Sequence, residues 1–330
     1  MNELGPDNPV VGVLGTVPPE LLLAAGRRPL NLYRVVQTLP DKASYAFAAE
    51  QEIRLPKKTC FWVKCFVKLA ADLDLKEVVI SRPEPCPYYK AVAEVLWRMG
   101  VNTVFFNYPH RHNMMEMRME IERLMAEWEI DWSSVEYQQQ RLAGFRAAVK
   151  EMDTLTWQGD VTGWENYSWL CGCPDLWDLR NLELSAQDFL VKARKGKRFE
   201  GVRLAYVGTP CAITGLHKLV EKLGARIVLN EYQLASAQVI SGDLTGICDG
   251  CSIVHDLSDR VADISFEIKE RGVQGILFYS QVGCLKDTQH FLMARELALP
   301  YVFLQGDVPD PLSDVRRGKL KVFIEGLRRV

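Results

Sequence analysis

No stretch of the sequence approaches the ~18 consecutive apolar residues of a membrane span. Its opening, MNELGPDNPVVGVLG, lacks the basic start and the roughly 7–15-residue apolar run of a secretory signal. The expectation is a soluble, cytoplasmic protein. Charge of one sign is also missing. With 40 Lys and Arg against 42 Asp and Glu, the net charge is −2, and neither a nucleic-acid surface nor a polybasic membrane patch is expected. A phosphate loop of the G-x-x-x-x-G-K-[S/T] type is absent, because GTPCAITG (Gly208–Gly215) carries no lysine. The chain is therefore expected to bind no nucleotide by that chemistry. A second C-x2-C is missing too, so CDGC (Cys248–Cys251) has no partner for a four-cysteine zinc site.

Cysteine itself is plentiful: there are nine. Structural disulfides are not expected in the cytosol, and an odd total fits pairing poorly. Buried small hydrophobes, redox thiols and metal ligands remain. The chain has 330 residues, 48% of them apolar and 25% charged, which suits a cored globular protein of two domains.

Along the chain, apolar runs alternate with helical patterns. Strands are expected at Pro9–Gly15, Lys76–Arg82, Val101–Pro109, Val202–Gly208, Ala225–Tyr232, Gln274–Ser280 and Tyr301–Asp307. Helices are expected at Pro18–Gly26, Tyr88–Gly100, Met114–Glu129, Ser133–Leu155, Ser185–Arg194, Ala212–Gly224, Asp259–Gly272, Asp287–Ala298 and from about Leu312. Gly159–Arg180, rich in Trp, Gly and Asp, has no clear period and is expected as an irregular connection. KARKGKR (Lys192–Arg198) is a charged hinge candidate. The alternation predicts an α/β protein with two doubly wound, Rossmann-like parallel-sheet domains and right-handed crossovers. The division is placed near residue 195. It gives an N-terminal α/β domain, 1–195, with a helical insertion, and a C-terminal α/β domain, 196–330.

In open parallel sheets, ligands bind at the carboxyl ends of the strands. Cys86 and Cys284 each fall in a strand-to-helix loop at such an end, one per domain, and Cys211 has the same setting. Cys60 and Cys65 fall near the start of a helix. Five residues apart, they share no helix face, so both reach one site only if Cys60 lies just before the helix. Cys248 and Cys251 fall in a Gly/Asp-rich loop, and Cys171 and Cys173 in the irregular connection. Helix N-termini lower thiol pKa and favour anions, and iron–sulfur clusters held by thiolates are anionic. These placements point to an iron–sulfur cluster between the two domains. Two plainer readings stand beside it: cysteines as small hydrophobes, and CDGC as a dithiol redox pair.

Several stretches carry a resemblance. PVVGVLGTVPPELLLAAGRRPLNLYRV, TCFWVKCFVKLAADLDLKEVVISRPEPCPYYK, VRLAYVGTPCAITGLHKLVEKLGARIVLNEY, and DRVADISFEIKERGVQGILFYSQVGC followed by LALPYVFLQGD occur in this order. Together they resemble the cluster-binding subunits of the 2-hydroxyacyl-CoA dehydratase and benzoyl-CoA reductase family, including its double-cubane relatives. The resemblance implies that Cys60, Cys86 and Cys284 hold a [4Fe–4S] cluster and leave one iron open. A double-cubane [8Fe–9S] cluster needs six thiolates. Cys65, Cys248 and Cys251 complete that number by arithmetic and loop position, and Cys211 or the Cys171/Cys173 pair could replace two of them.

The resemblance further implies an anaerobic oxidoreductase component. It would take low-potential electrons from a separate ATP-hydrolysing iron–sulfur activator and pass them to a small-molecule substrate. A dimer of like or similar chains is expected. His110, His112 and His255 are candidates to bind a substrate carboxylate or deliver a proton, with a plain surface loop as the alternative. Two other functions stay open: a non-catalytic electron carrier or cluster-assembly protein of the same fold, and a cluster-free α/β protein with packing or redox thiols.

Overall fold

The computed structural model describes residues 7–82, 86, 88–171, 179–193, 199–232, 244–250, 255–307, 309 and 312–329, the side chains of Leu170 and Cys171 excepted. These residues fall into two compact units. The first is Met1–Val149, Cys171–Gln187 and Gln238–His255; the second is Lys150–Leu170, Asp188–Ala237 and Asp256–Val330. The chain passes between the units more than once.

The first unit is built on β1 (Val10–Leu14), β2 (Arg28–Asn31), β3 (Glu77–Arg82) and β4 (Asn102–Asn107). All are parallel, in the order β2-β1-β3-β4. Its helices are α1 (Pro19–Ala24), α2 (Leu32–Thr38), α3 (Lys42–Glu52), α4 (Phe61–Asp72), α5 (Tyr89–Arg98) and α6 (Met114–Glu127). To these it adds most of α7 (Trp132–Gln158), part of α9 (Leu179–Ala193), and α11 (Leu244–Asp249). β3 holds Val78, Val79 and Ile80 with no exposure, the continuous apolar run of a strand covered on both faces. Each such side chain contributes on the order of 1.5–3 kcal/mol by burial. Glu20 of α1 is fully buried and paired with Arg146 of α7, which locks the entry to the first crossover.

The second unit repeats the winding. β5 (Val202–Gly208), β6 (Ala225–Asn230), β7 (Gly275–Gln281) and β8 (Tyr301–Gly306) are parallel, in the order β6-β5-β7-β8. α8 (Gly163–Cys171), α10 (Leu216–Lys222), α12 (Leu257–Glu270), α13 (Lys286–Glu296) and α14 (Asp314–Leu327) accompany them. One face of the sheet packs Leu204, Tyr206, Leu277 and Tyr279 against α10 and α14. The other packs Val207, Phe278 and Val228 against α12 and α13. β7 is buried at every position. In both sheets the winding reverses between the first and third strands in sequence order, β1/β3 and β5/β7, the places where such folds open a crevice.

The expected parallel α/β architecture is present, and each anticipated strand is found with its ends within about two residues of those expected. β2 was not anticipated. It is four residues long and contains Pro29, which a sheet accepts because β2 is an edge strand. The segment expected to be irregular, Gly159–Arg180, instead contains α8. Its start is a capping box: Thr162 Oγ1 accepts from Glu165 N at 3.0 Å, and Thr162 N donates to Glu165 Oε2 at 2.9 Å. That start lies against edge strand β6, where a Cβ on Gly163 would fall 2.8 Å from Ile227 O, so α8 shields an otherwise open edge. No helix among the described residues is long and apolar enough to cross a membrane.

Candidate functional site

Three cysteines stand at helix starts. Cys60 is the N-cap residue of α4, just ahead of Phe61, and its thiol makes no capping hydrogen bond. Cys86 follows β3, and its carbonyl accepts from Tyr89 N at 3.3 Å as α5 begins. Cys284 follows β7 across Gly283, whose φ of +75° suits glycine and turns the chain into α13. Cys86 and Cys284 thus occupy equivalent places, since β3 and β7 hold the same position in the two sheets.

Of the six cysteines with described side chains, Cys60, Cys86 and Cys284 are partly exposed, while Cys65, Cys211 and Cys248 are buried; none of the six is in a disulfide. Cys65 lies on α4 with no exposure, and burial, reinforced by the Cys60 thiolate, pushes its thiol up to about 12. Cys211 belongs to the apolar core beside Tyr206 and Ile213, and burial raises it to about 12 as well. α10 starts only at Leu216, so Cys211 does not share the helix-start setting expected for it. Cys248 is not in a loop, as the sequence suggested, but in the last turn of α11. Cys251 and Cys173 lie outside the described residues, as does the side chain of Cys171.

The family model for the D-component of 2-hydroxyglutaryl-CoA dehydratase matches residues 15–327 of this chain. The chain belongs to that family. No curated protein sequence matches it. Membership makes this protein one component of a dehydratase-type enzyme system and agrees with the resemblance drawn from its ordered motifs.

In this D-component-family chain, burial outweighs the helix N-terminus at Cys284. Desolvation raises the thiol, the Lys286 backbone N–H and ammonium lower it, Asp287 raises it, and the net direction is up. Lys286 is itself 3% exposed. It belongs to a buried polar group at the carboxyl end of the second sheet. There Glu231 pairs with Arg260 and accepts from Gly208 N at 3.0 Å. Burial opposes ionisation of Glu231, but Arg260, then Lys286, hold its carboxyl below the usual carboxylate range. His290 lies in the same group with no exposure and, among the described residues, no hydrogen-bond partner for either ring nitrogen. Burial, then Arg260 and Lys286, lower it to about 3. Gly208 is irreplaceable here: at φ +134° a Cβ would meet Tyr279 O at 2.0 Å and His290 Cε1 at 2.8 Å.

The candidate histidines divide. His110 is exposed in the loop after β4. His112, in the same loop, meets His255, with ring centroids 4.2 Å apart, beside Asp249. Sequence reasoning missed Asp249, hidden inside a motif read for its cysteines. It also missed Lys286, two residues past Cys284 and written like any solvated helix lysine.

Proposed function

We propose that this protein is the cluster-bearing component of a 2-hydroxyacyl-CoA dehydratase-like or double-cubane-type reductase system. In this reading Cys60, Cys86 and Cys284 hold the cluster. The observation that carries it is the contrast among the thiols. The three at helix starts are part-exposed, whereas Cys65, Cys211 and Cys248 are buried. Thiolate donors at the positive ends of α4, α5 and α13 suit an anionic cluster.

When bound, such a cluster supplies a low-potential one-electron site with one iron open to substrate. The chain's own residues do the rest. Cys60, Cys86 and Cys284 present thiolates, and the Lys286 N–H and ammonium offset negative charge at Cys284. Electrons come from a separate ATP-hydrolysing iron–sulfur activator, and the working form is a dimer of like or similar chains. The double-cubane variant is the second form, and it would need Cys65, Cys248 and Cys251 as further ligands.

Anaerobic iron and sulfide analysis tests the reading. About four irons per chain fit one cubane and about eight the double form; none at all rejects both. Cys284→Ala lowers bound iron if the ligand assignment holds. ATP-dependent reduction by an activator, followed by substrate turnover, separates an enzyme component from a plain electron carrier.

A further inference from the structure

We propose that His112, Asp249 and His255 form a binding site for one divalent transition-metal ion of the zinc class, built from no cysteine. One nitrogen of each imidazole and one carboxylate oxygen lie within 4.8 Å of one another. His255 is 8% exposed, and the Asp249 side chain 13%.

The hydrogen-bond chemistry of the cluster is short of positive charge. His112 Nδ1 lies 2.7 Å from Asp249 O, His255 Nε2 lies 2.8 Å from the same carbonyl, and His255 Nδ1 lies 3.3 Å from Pro109 O. Every one of these nitrogens faces an oxygen that only accepts. A neutral imidazole carries one N–H, so two neutral rings cannot supply a hydrogen to all three contacts. His112 Nδ1 also faces Asp249 Oδ2 at 3.4 Å. A cation placed among these atoms resolves the shortage at once.

The surroundings orient the donors as a metal site requires. With His255 Nδ1–H given to Pro109 O, the Nε2 lone pair turns toward His112 and Asp249, the arrangement in which a backbone carbonyl fixes a ligand imidazole. Asp249 Oδ1 accepts from Asn113 N at 2.7 Å, which leaves Oδ2 for the ion. Asn113 is in turn the N-cap of α6, so the carboxylate is fixed to a helix start. Two imidazoles and one carboxylate suit zinc, cobalt, nickel or ferrous iron and disfavour calcium and magnesium, which take all-oxygen sets.

The ion would join segments 137 residues apart in sequence. It fastens the loop after β4 to α11, a six-residue helix packed on α6. It would thereby hold in place the turn that carries Cys248.

The test uses the full chain, purified anaerobically with its bound iron retained, dialysed against a chelator and titrated with Co2+. We expect one equivalent to bind with visible ligand-field absorption, no thiolate-to-cobalt band, and displacement by Zn2+. His255→Gln and Asp249→Asn each weaken binding by more than about tenfold and leave iron content unchanged. His112 is the exposed member of the set, 37% in its side chain, so His112→Gln keeps the fold if the other two variants do not. Three outcomes overturn the site: no stoichiometric uptake, uptake accompanied by a thiolate band, or affinity unchanged in His112→Gln. A doubly protonated His255 by nitrogen NMR at neutral pH, unaltered by Zn2+, shows that a proton fills the place and also rejects it. Failure of the cluster reading would appear separately, in the iron content alone.

Discussion

Arg260 Nη2 donates to Glu231 Oε2 at 2.8 Å, and the two side chains are 3% and 1% exposed. A pair this dry is held by its geometry and by the third bond, from Gly208 N. Removing one partner leaves a buried charge without compensation. Arg260→Met should lower stability by roughly 3–5 kcal/mol, while the double variant Glu231→Gln/Arg260→Met recovers much of the loss. Urea unfolding midpoints read both. A single variant within about 1 kcal/mol of wild type would show that the carboxylate finds water or another cation.

Strand positions were legible because parallel strands buried on both faces write continuous apolar runs, as in GILFYSQ. The equivalence of Cys86 and Cys284 followed from that reading, since each closes such a run. β2 was illegible because four residues show no period. α8 was hidden by its Trp, Gly and Asp content, although T-x-x-E at Thr162–Glu165 marks its start. Burial of thiols was not legible. Cys65 and Cys211 look no different from Cys60 in a one-dimensional string, and the packing that seals them comes from other elements. The meeting of His112 with His255 was equally beyond reach, because no local pattern couples a loop after β4 to the end of the α11 segment.

The burial contrast sorts the cysteines by consequence. Cys60→Ser, Cys86→Ser and Cys284→Ser should each reduce iron per chain after anaerobic purification. Cys211→Ala should leave iron unchanged and cost stability instead, because that thiol packs in the core of the second unit. Cys65→Ala separates the two cluster forms: it cuts iron only in the double-cubane case. Iron loss in Cys211→Ala with normal stability would transfer the ligand role to that residue.

Lys286 should tune Cys284. Its ammonium and backbone N–H both favour the thiolate, against the raising effect of burial. Lys286→Met removes the ammonium and keeps the N–H. In iron-free protein the variant should alkylate Cys284 more slowly at fixed pH, with the rate profile displaced to higher pH. In cluster-loaded protein the midpoint potential should become more negative, because a positive charge near a thiolate ligand favours the reduced state. An unchanged alkylation profile would place the ammonium too far away to act.

Acid should weaken the second unit well before its carboxylates titrate. His217 is 3% exposed and stacked on Tyr167 at 4.1 Å, and burial lowers it to about 3; His290 is lowered to about 3 by burial, Arg260 and Lys286. Unfolded, both return to 6.5. Below 6.5 the unfolded chain therefore binds protons that the folded chain refuses, so stability falls with pH from about 6.5 toward about 3. Glu231, held below its usual range, adds to the loss in the acid part of that window, because its ionised form is the one the fold favours. His217→Phe keeps an aromatic ring against Tyr167 and removes the titration. Thermal midpoints measured across this window should fall less steeply in the variant than in wild type; parallel curves would mean that His217 is protonated in the folded protein.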